Sequence, residues 1–205
     1  MASLQGNQSV VKKLYSAVEK AVANSTKTPV LIAIDGNCGS GKTFYASQLA
    51  SSFNACVIHC DDFFLPKEMR TTKRLAEVGG NIHYERLCET LSKLKNELVY
   101  VDGKKQFTYM AYNCSTDSYE ERQILSSNVV IVEGSYSLHP TLRQFYDLKI
   151  LLKVDRQTQY NRLLQREGEQ GISNFVNKWI PLENRYFEAL NTADCVVIDT
   201  SPVGK

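Results

Sequence analysis

GNCGSGKT, residues 36–43, follows the apolar run VLIAID and leads into KTFYASQLASSF. It fits the pattern G-x-x-x-x-G-K-[ST] in a strand–loop–helix setting. The bare pattern arises by chance in on the order of one chain in a hundred of this length, and the setting makes accident much rarer. The residue types suit an anion. Gly36, Gly39 and Gly41 let the backbone turn successive N–H groups to one side, and the following helix adds the positive end of its dipole. Gly36, Asn37, Cys38, Gly39, Ser40, Gly41, Lys42 and Thr43 are therefore predicted to cradle nucleotide phosphates. Lys42 would reach the β- and γ-phosphates, and the Thr43 hydroxyl would ligate Mg²⁺.

Working outward, VLIAIDG is a short, β-branched, continuously apolar run of the kind buried on both faces. ACVIHC, NVVIVEG, LKILLKVD and DCVVIDT repeat that character. Helical patterns alternate with them. Residues 9–24 carry Val10, Leu14 and Val18 at helical spacing, with Ser9 as N-cap. HYERLCETLSKLKN has apolar residues at 84, 87, 91 and 94. DRQTQYNRLLQREG begins on Asp155 and is predicted to stop at Gly168. A further helix is predicted over Trp179–Leu190, with Pro181 in its first turn. The segment LVYVDGKKQFTYMAYN differs: β-prone runs flank Asp102-Gly103, a hairpin signal. The expectation is an α/β fold with a doubly wound, mostly parallel five-stranded sheet and helices on both faces. A β-hairpin insertion (about 97–113) and a helical lid (about 156–170) complete one domain spanning 1–205.

Two acidic features sit at predicted strand ends, where an open α/β sheet presents its ligand crevice. Glu133 ends NVVIVEG and is predicted to hold the Mg²⁺ shell with Thr43. Asp61 and Asp62 follow ACVIHC, in HCDDFFLP. An acid there can orient an acceptor hydroxyl and take its proton during phosphoryl transfer. No N-K-x-D guanine-reading motif is present.

Composition narrows the class. A net charge of +2 offers no basic field for nucleic acid. No apolar stretch approaches a membrane span, and the first twenty residues lack a secretory h-region. The six cysteines form no C-x-x-C pair and read as reduced thiols. A soluble, cytoplasmic domain is expected. Cys38, inside the loop beside a helix N-terminus, occupies a setting that can lower a thiol pKa.

Several strings then converge: GNCGSGKT, Asp-x-Phe-Phe at Asp61, Phe63 and Phe64, GGNIHYERL, FTYMAYN, VVIVEGSYSLHPTLRQFYDLKILLKVD, RLLQREG and IPLENRYF. Their order and spacing resemble the uridine kinase family of P-loop nucleoside kinases, within the phosphoribulokinase/uridine kinase group, from about Val30 to Asp199. The resemblance implies an ATP- and Mg²⁺-dependent nucleoside kinase with Asp61 as general base toward the ribose 5′-hydroxyl. It implies Arg162 and Arg166 as lid arginines acting on the transferring phosphoryl group. It sets Tyr112 beside the nucleobase, and His83, Asp62 and Arg166 on the acceptor side, while Arg143 matches a family arginine. A base-reading histidine of the family is missing, Asp117 being the nearest polar residue, and His83 stands where bacterial relatives commonly have Asp. Both departures touch the acceptor side. DDFF-x-P also resembles nicotinamide riboside kinases. A kinase of nicotinamide riboside, pantothenate or a sugar, or an ATP-binding regulator without an acceptor, therefore stays open. So does self-association, which relatives often show.

Overall fold

The five apolar runs are the five strands of one parallel sheet in the computed structural model, which describes residues 2–96, 99–101, 104–125 and 127–202. In chain order these strands are β1 (Val30–Gly36), β2 (Cys56–His59), β6 (Val129–Glu133), β7 (Leu148–Lys153) and β8 (Val196–Asp199). They are ordered β2-β6-β1-β7-β8, and every pairing among them is parallel. Every residue of β1 is buried, as a strand covered on both faces requires.

Its alternation divides the core. Val30, Ile32 and Ile34 pack with Val10, Leu14 and Val18 of α1 (Ala2–Asn24) and with Tyr45, Ala46 and Leu49 of α2 (Lys42–Phe53). Leu31 and Ala33 face the opposite layer, with Leu87, Leu91 and Leu94 of α4 (Tyr84–Asn96) and Tyr186 of α6 (Ile180–Ala189). Between β2 and α4 lie a 3₁₀ turn (Cys60–Phe63) and the short α3 (Thr72–Ala76). Helix α1 runs past the expected cap: Ser9 lies within it.

The insertion is larger than a hairpin. β3 (Val99–Val101), β4 (Lys104–Asn113) and β5 (Ser118–Leu125) form a three-stranded antiparallel sheet. The predicted turn at Asp102-Gly103 lies outside the described residues. β5 escaped the sequence reading because SYEERQIL is exposed nearly throughout and lacks an apolar face. The sheet is held by Phe107, Tyr109 and Ala111, alternate residues of β4 that join the Leu31 layer.

α5 (Arg156–Asn174) starts as predicted: the Asp155 carboxylate accepts from the Thr158 N–H at 2.9 Å. It does not stop at Gly168. That glycine takes φ 71°, ψ 178°, a conformation essentially confined to glycine, and the helix resumes beyond it. A π-helical turn, Phe175–Trp179, then leads into α6.

Candidate active site

The phosphate loop is shaped by partners for its carbonyls. Lys42 Nζ donates to the carbonyls of Gly36 (2.8 Å) and Asn37 (3.1 Å). Gln159 Nε2 donates to that of Cys38 (3.0 Å), Arg162 to that of Gly39 (2.9 Å) and the Thr200 hydroxyl to that of Ser40 (2.9 Å). Five successive carbonyls thus have side-chain donors. At the start of α2 the first N–H groups have no intrahelical partner, leaving donors for an anion. Gly36 is obligatory for a steric reason: a Cβ there would lie 2.2 Å from the Leu152 carbonyl oxygen of neighbouring β7.

One loop amide is taken. Glu183 of α6 is buried, and it accepts from the Cys38 N–H (2.8 Å) and the Ser135 hydroxyl (2.7 Å). Asp35, at the end of β1, is fully buried and accepts from Gly36 N–H (2.7 Å), Leu138 N–H (2.9 Å) and the Tyr186 hydroxyl (2.6 Å). Burial pushes its carboxyl up to about 6 against the pull of those hydrogen bonds. The Cys38 thiol moves opposite to the expectation. Burial, reinforced by the neighbouring Glu183 carboxylate, pushes it up to about 12. A buried thiol beside an acid is disfavoured as thiolate more than the helix N-terminus can favour it.

Strand register aligns the acids. Because β6 lies between β1 and β2, Glu133 is paired with Ile34 on one side and His59 on the other. The Thr43 hydroxyl donates to the Glu133 carboxylate at 3.2 and 3.3 Å, and His59 Nδ1 lies 2.6 Å from Oε1. That hydrogen bond raises the His59 pKa. Thr43 and Glu133 supply adjacent oxygen donors, the ligand type Mg²⁺ prefers. Among the described residues no group of three or more His, Cys, Asp or Glu forms a cage for a metal. Mg²⁺ needs none, since it keeps waters and substrate phosphates as ligands.

These elements enclose a cavity of about 520 Å³ whose walls include Lys42, Thr43, Asp61, Glu133, Arg162 and Arg166. The two adjacent aspartates part company here. Asp61 opens into the cavity, where the surrounding protein and then the Glu133 charge raise its pKa. Asp62 is buried behind it, accepting from the Tyr109 hydroxyl at 2.7 Å, with the Arg122 guanidinium at 3.4 Å.

Arg162 touches the cavity while bridging Gly39 and Thr200, whose carbonyl it binds at 2.9 Å. Arg166 is more exposed, with Nε 2.5 Å from Glu167 and its guanidinium over Phe175. Other residues named from sequence lie elsewhere. His83 and Tyr112 are absent from the cavity walls. His83 Nδ1 is 3.2 Å from Glu85. Tyr112 is buried with its hydroxyl donating to Asp117, which also pairs with Lys67 at 3.1 Å. Arg143 binds Asp194, away from the site. Phe63 is core, whereas Phe64 borders the cavity. Sequence reasoning overlooked Asp35, His59, Gln159, Glu183 and Thr200, whose roles arise from contacts between distant segments. Only His59 carried a local hint, two residues before Asp61.

The family model of the phosphoribulokinase / uridine kinase family matches residues 31–173. A uridine kinase of Ureaplasma parvum serovar 3 is 24% identical over 169 residues, covering 76% of this chain and 78% of that protein. Among solved structures, a possible uridine kinase from Bacillus stearothermophilus superposes with TM-score 0.70 at 22% identity, over 94% of this chain and 98% of that one. A D-glycerate 3-kinase from Cryptococcus neoformans superposes with TM-score 0.61 at 16% identity, over 94% and 95%.

Proposed function

The chain belongs to the phosphoribulokinase/uridine kinase family, and is accordingly an ATP-dependent kinase; from that premise we propose that it transfers the γ-phosphoryl group of ATP to the 5′-hydroxyl of a pyrimidine nucleoside, uridine or cytidine. The observation that carries this reading is Asp61 opening into a cavity shared with Lys42, Thr43 and Glu133. In it, the loop amides and Lys42 bind the triphosphate. Thr43 and Glu133 hold Mg²⁺, which when bound offsets charge on the phosphate oxygens. Asp61 orients the acceptor hydroxyl and takes its proton. Its raised pKa makes it a better proton acceptor than an ordinary aspartate. Arg166 approaches the transferring group, and Arg162 braces the loop at Gly39. Asp62 serves the scaffold, tying the 3₁₀ turn to β4 through Tyr109.

The test is ADP release with Mg-ATP against nucleosides, nicotinamide riboside, pantothenate, hydroxy acids and sugars. Asp61→Asn should lower kcat about 10²- to 10⁴-fold, the usual worth of a general base, with ATP affinity retained. Near-normal turnover in that variant removes Asp61 from the role. A second acceptor class, a sugar or hydroxy acid, draws support from the Tyr112 hydroxyl being taken by Asp117. Turnover confined to such compounds would establish it. ATP binding without turnover of any acceptor would mark a regulator.

A further inference from the structure

We infer that Glu183 is a positioning residue for the phosphate loop, acting through Cys38, an inference that rests on the loop binding ATP as read above. Its place is electrostatically unfavourable for a nucleotide site. The side chain is buried, and it stands in the wall of the cavity shared by Lys42, Thr43 and Asp61. A carboxylate there repels a triphosphate, and burying an acid costs free energy unless donors compensate it. An acid kept in such a place is explained by what it holds.

Glu183 uses both oxygens. Oε2 accepts from the Cys38 N–H at 2.8 Å, and Oε1 accepts from the Ser135 hydroxyl at 2.7 Å. Cys38 is the third residue of the phosphate loop, Ser135 lies two residues beyond Glu133, and Glu183 is in the first turn of α6. One side chain therefore joins the loop, the end of β6 and the start of α6. Helix α5 grips Cys38 as well. Gln159 Nε2 donates to its carbonyl at 3.0 Å, and its side chain packs with Leu163 and Ile172. Both backbone polar groups of Cys38 are thus committed to side chains of α5 and α6. The next residue, Gly39, takes φ 78°, where the chain is free to swing. The hold on Cys38 sets the direction of the amides beyond it, and a loop shaped before binding loses less on ordering.

The experiment compares the full chain with Glu183→Leu, Glu183→Gln and Gln159→Leu, and needs no acceptor. Leucine keeps the bulk and removes both hydrogen-bond acceptors. Glutamine keeps an oxygen for the Cys38 N–H and offers its amino group to the Ser135 oxygen, so the hold survives without the charge. For each chain, the Kd of a fluorescent ATP analogue with Mg²⁺ and the exchange rate of the Cys38 amide are measured in native buffer. A urea unfolding curve shows that each variant is folded. Glu183→Leu should weaken the analogue roughly tenfold or more and speed exchange at Cys38. Gln159→Leu should move both in the same direction, while Glu183→Gln should stay within about threefold of the wild type. A residue that only stabilises the fold would lower the urea midpoint and leave the Kd of the folded chain unmoved, which overturns the inference. So does tighter binding in Glu183→Leu, the mark of a carboxylate that merely competes with phosphate. A glutamine variant as weak as the leucine one overturns it too, since charge and not the hold would then matter. If Glu183→Leu does not fold, the other two variants decide: Gln159→Leu must weaken binding and Glu183→Gln must not. If the wild-type chain binds no ATP analogue, the reading of the loop fails and the inference with it.

Discussion

Asp61 and Asp62 are chemically identical neighbours with opposite surroundings. One faces a cavity, and the other accepts from Tyr109 beneath the antiparallel sheet. The same dependence on surroundings governs the cysteines. Cys38 is buried next to Glu183, so its thiol resists ionisation, whereas Cys114 is exposed. At pH 8 a maleimide should modify Cys114 rapidly and leave Cys38 untouched in the native protein, as peptide mass spectrometry would read. Prompt labelling of Cys38 would contradict its burial. The short reach of the Thr43–Glu133–His59 contacts likewise follows from strand register and not from anything written next to those residues in the chain.

Among the elements, α5 carries Arg162 and Arg166 and is fastened at its start by Asp155. Hydrogen bonds, first from the Thr158 side chain and then from its backbone N–H, pull the Asp155 carboxyl down to about 2. A depressed carboxyl stabilises the folded chain above its ordinary pKa of 3.8, and that contribution fades as pH falls toward about 2. Asp155→Asn preserves a good cap without the titration. Between pH 4 and 2 its unfolding midpoint in urea should fall less steeply than that of the wild type; parallel curves would show that the cap does not titrate as the geometry requires. The helix patterns themselves were legible because α4 keeps regular apolar spacing and α5 begins on a recognisable N-cap. The continuation past Gly168 was not, since a glycine that ends one helix and a glycine that kinks another look alike in sequence.

At the scale of the whole molecule, the antiparallel sheet is tied to the turn after β2 by the buried bond from the Tyr109 hydroxyl to Asp62, and to β2 itself by Cys56 Sγ donating to the Leu125 carbonyl. Tyr109→Phe keeps the ring stacked on Phe63 and removes only the donor to a buried carboxylate. It should cost about 1–3 kcal/mol in denaturant unfolding. A change within error would mean that Arg122 alone satisfies Asp62. Among the described residues no helix is long and apolar enough to cross a membrane.

What the sequence determined by itself was whatever is encoded locally. The phosphate loop, five strands buried on both faces, their intervening helices and the acids at their carboxyl ends all follow from composition and spacing within a dozen residues. These features specified a P-loop kinase layout before any coordinate was known. Tertiary structure decided the rest. It chose Asp61 over Asp62 for the cavity and turned a hairpin into three strands, the third too polar to announce itself. It also brought Gln159, Thr200 and Glu183 onto a loop more than a hundred residues away. The physical reason is common to all three. A buried backbone group must find a partner, and the partner is selected by proximity in the folded chain, which no local pattern records.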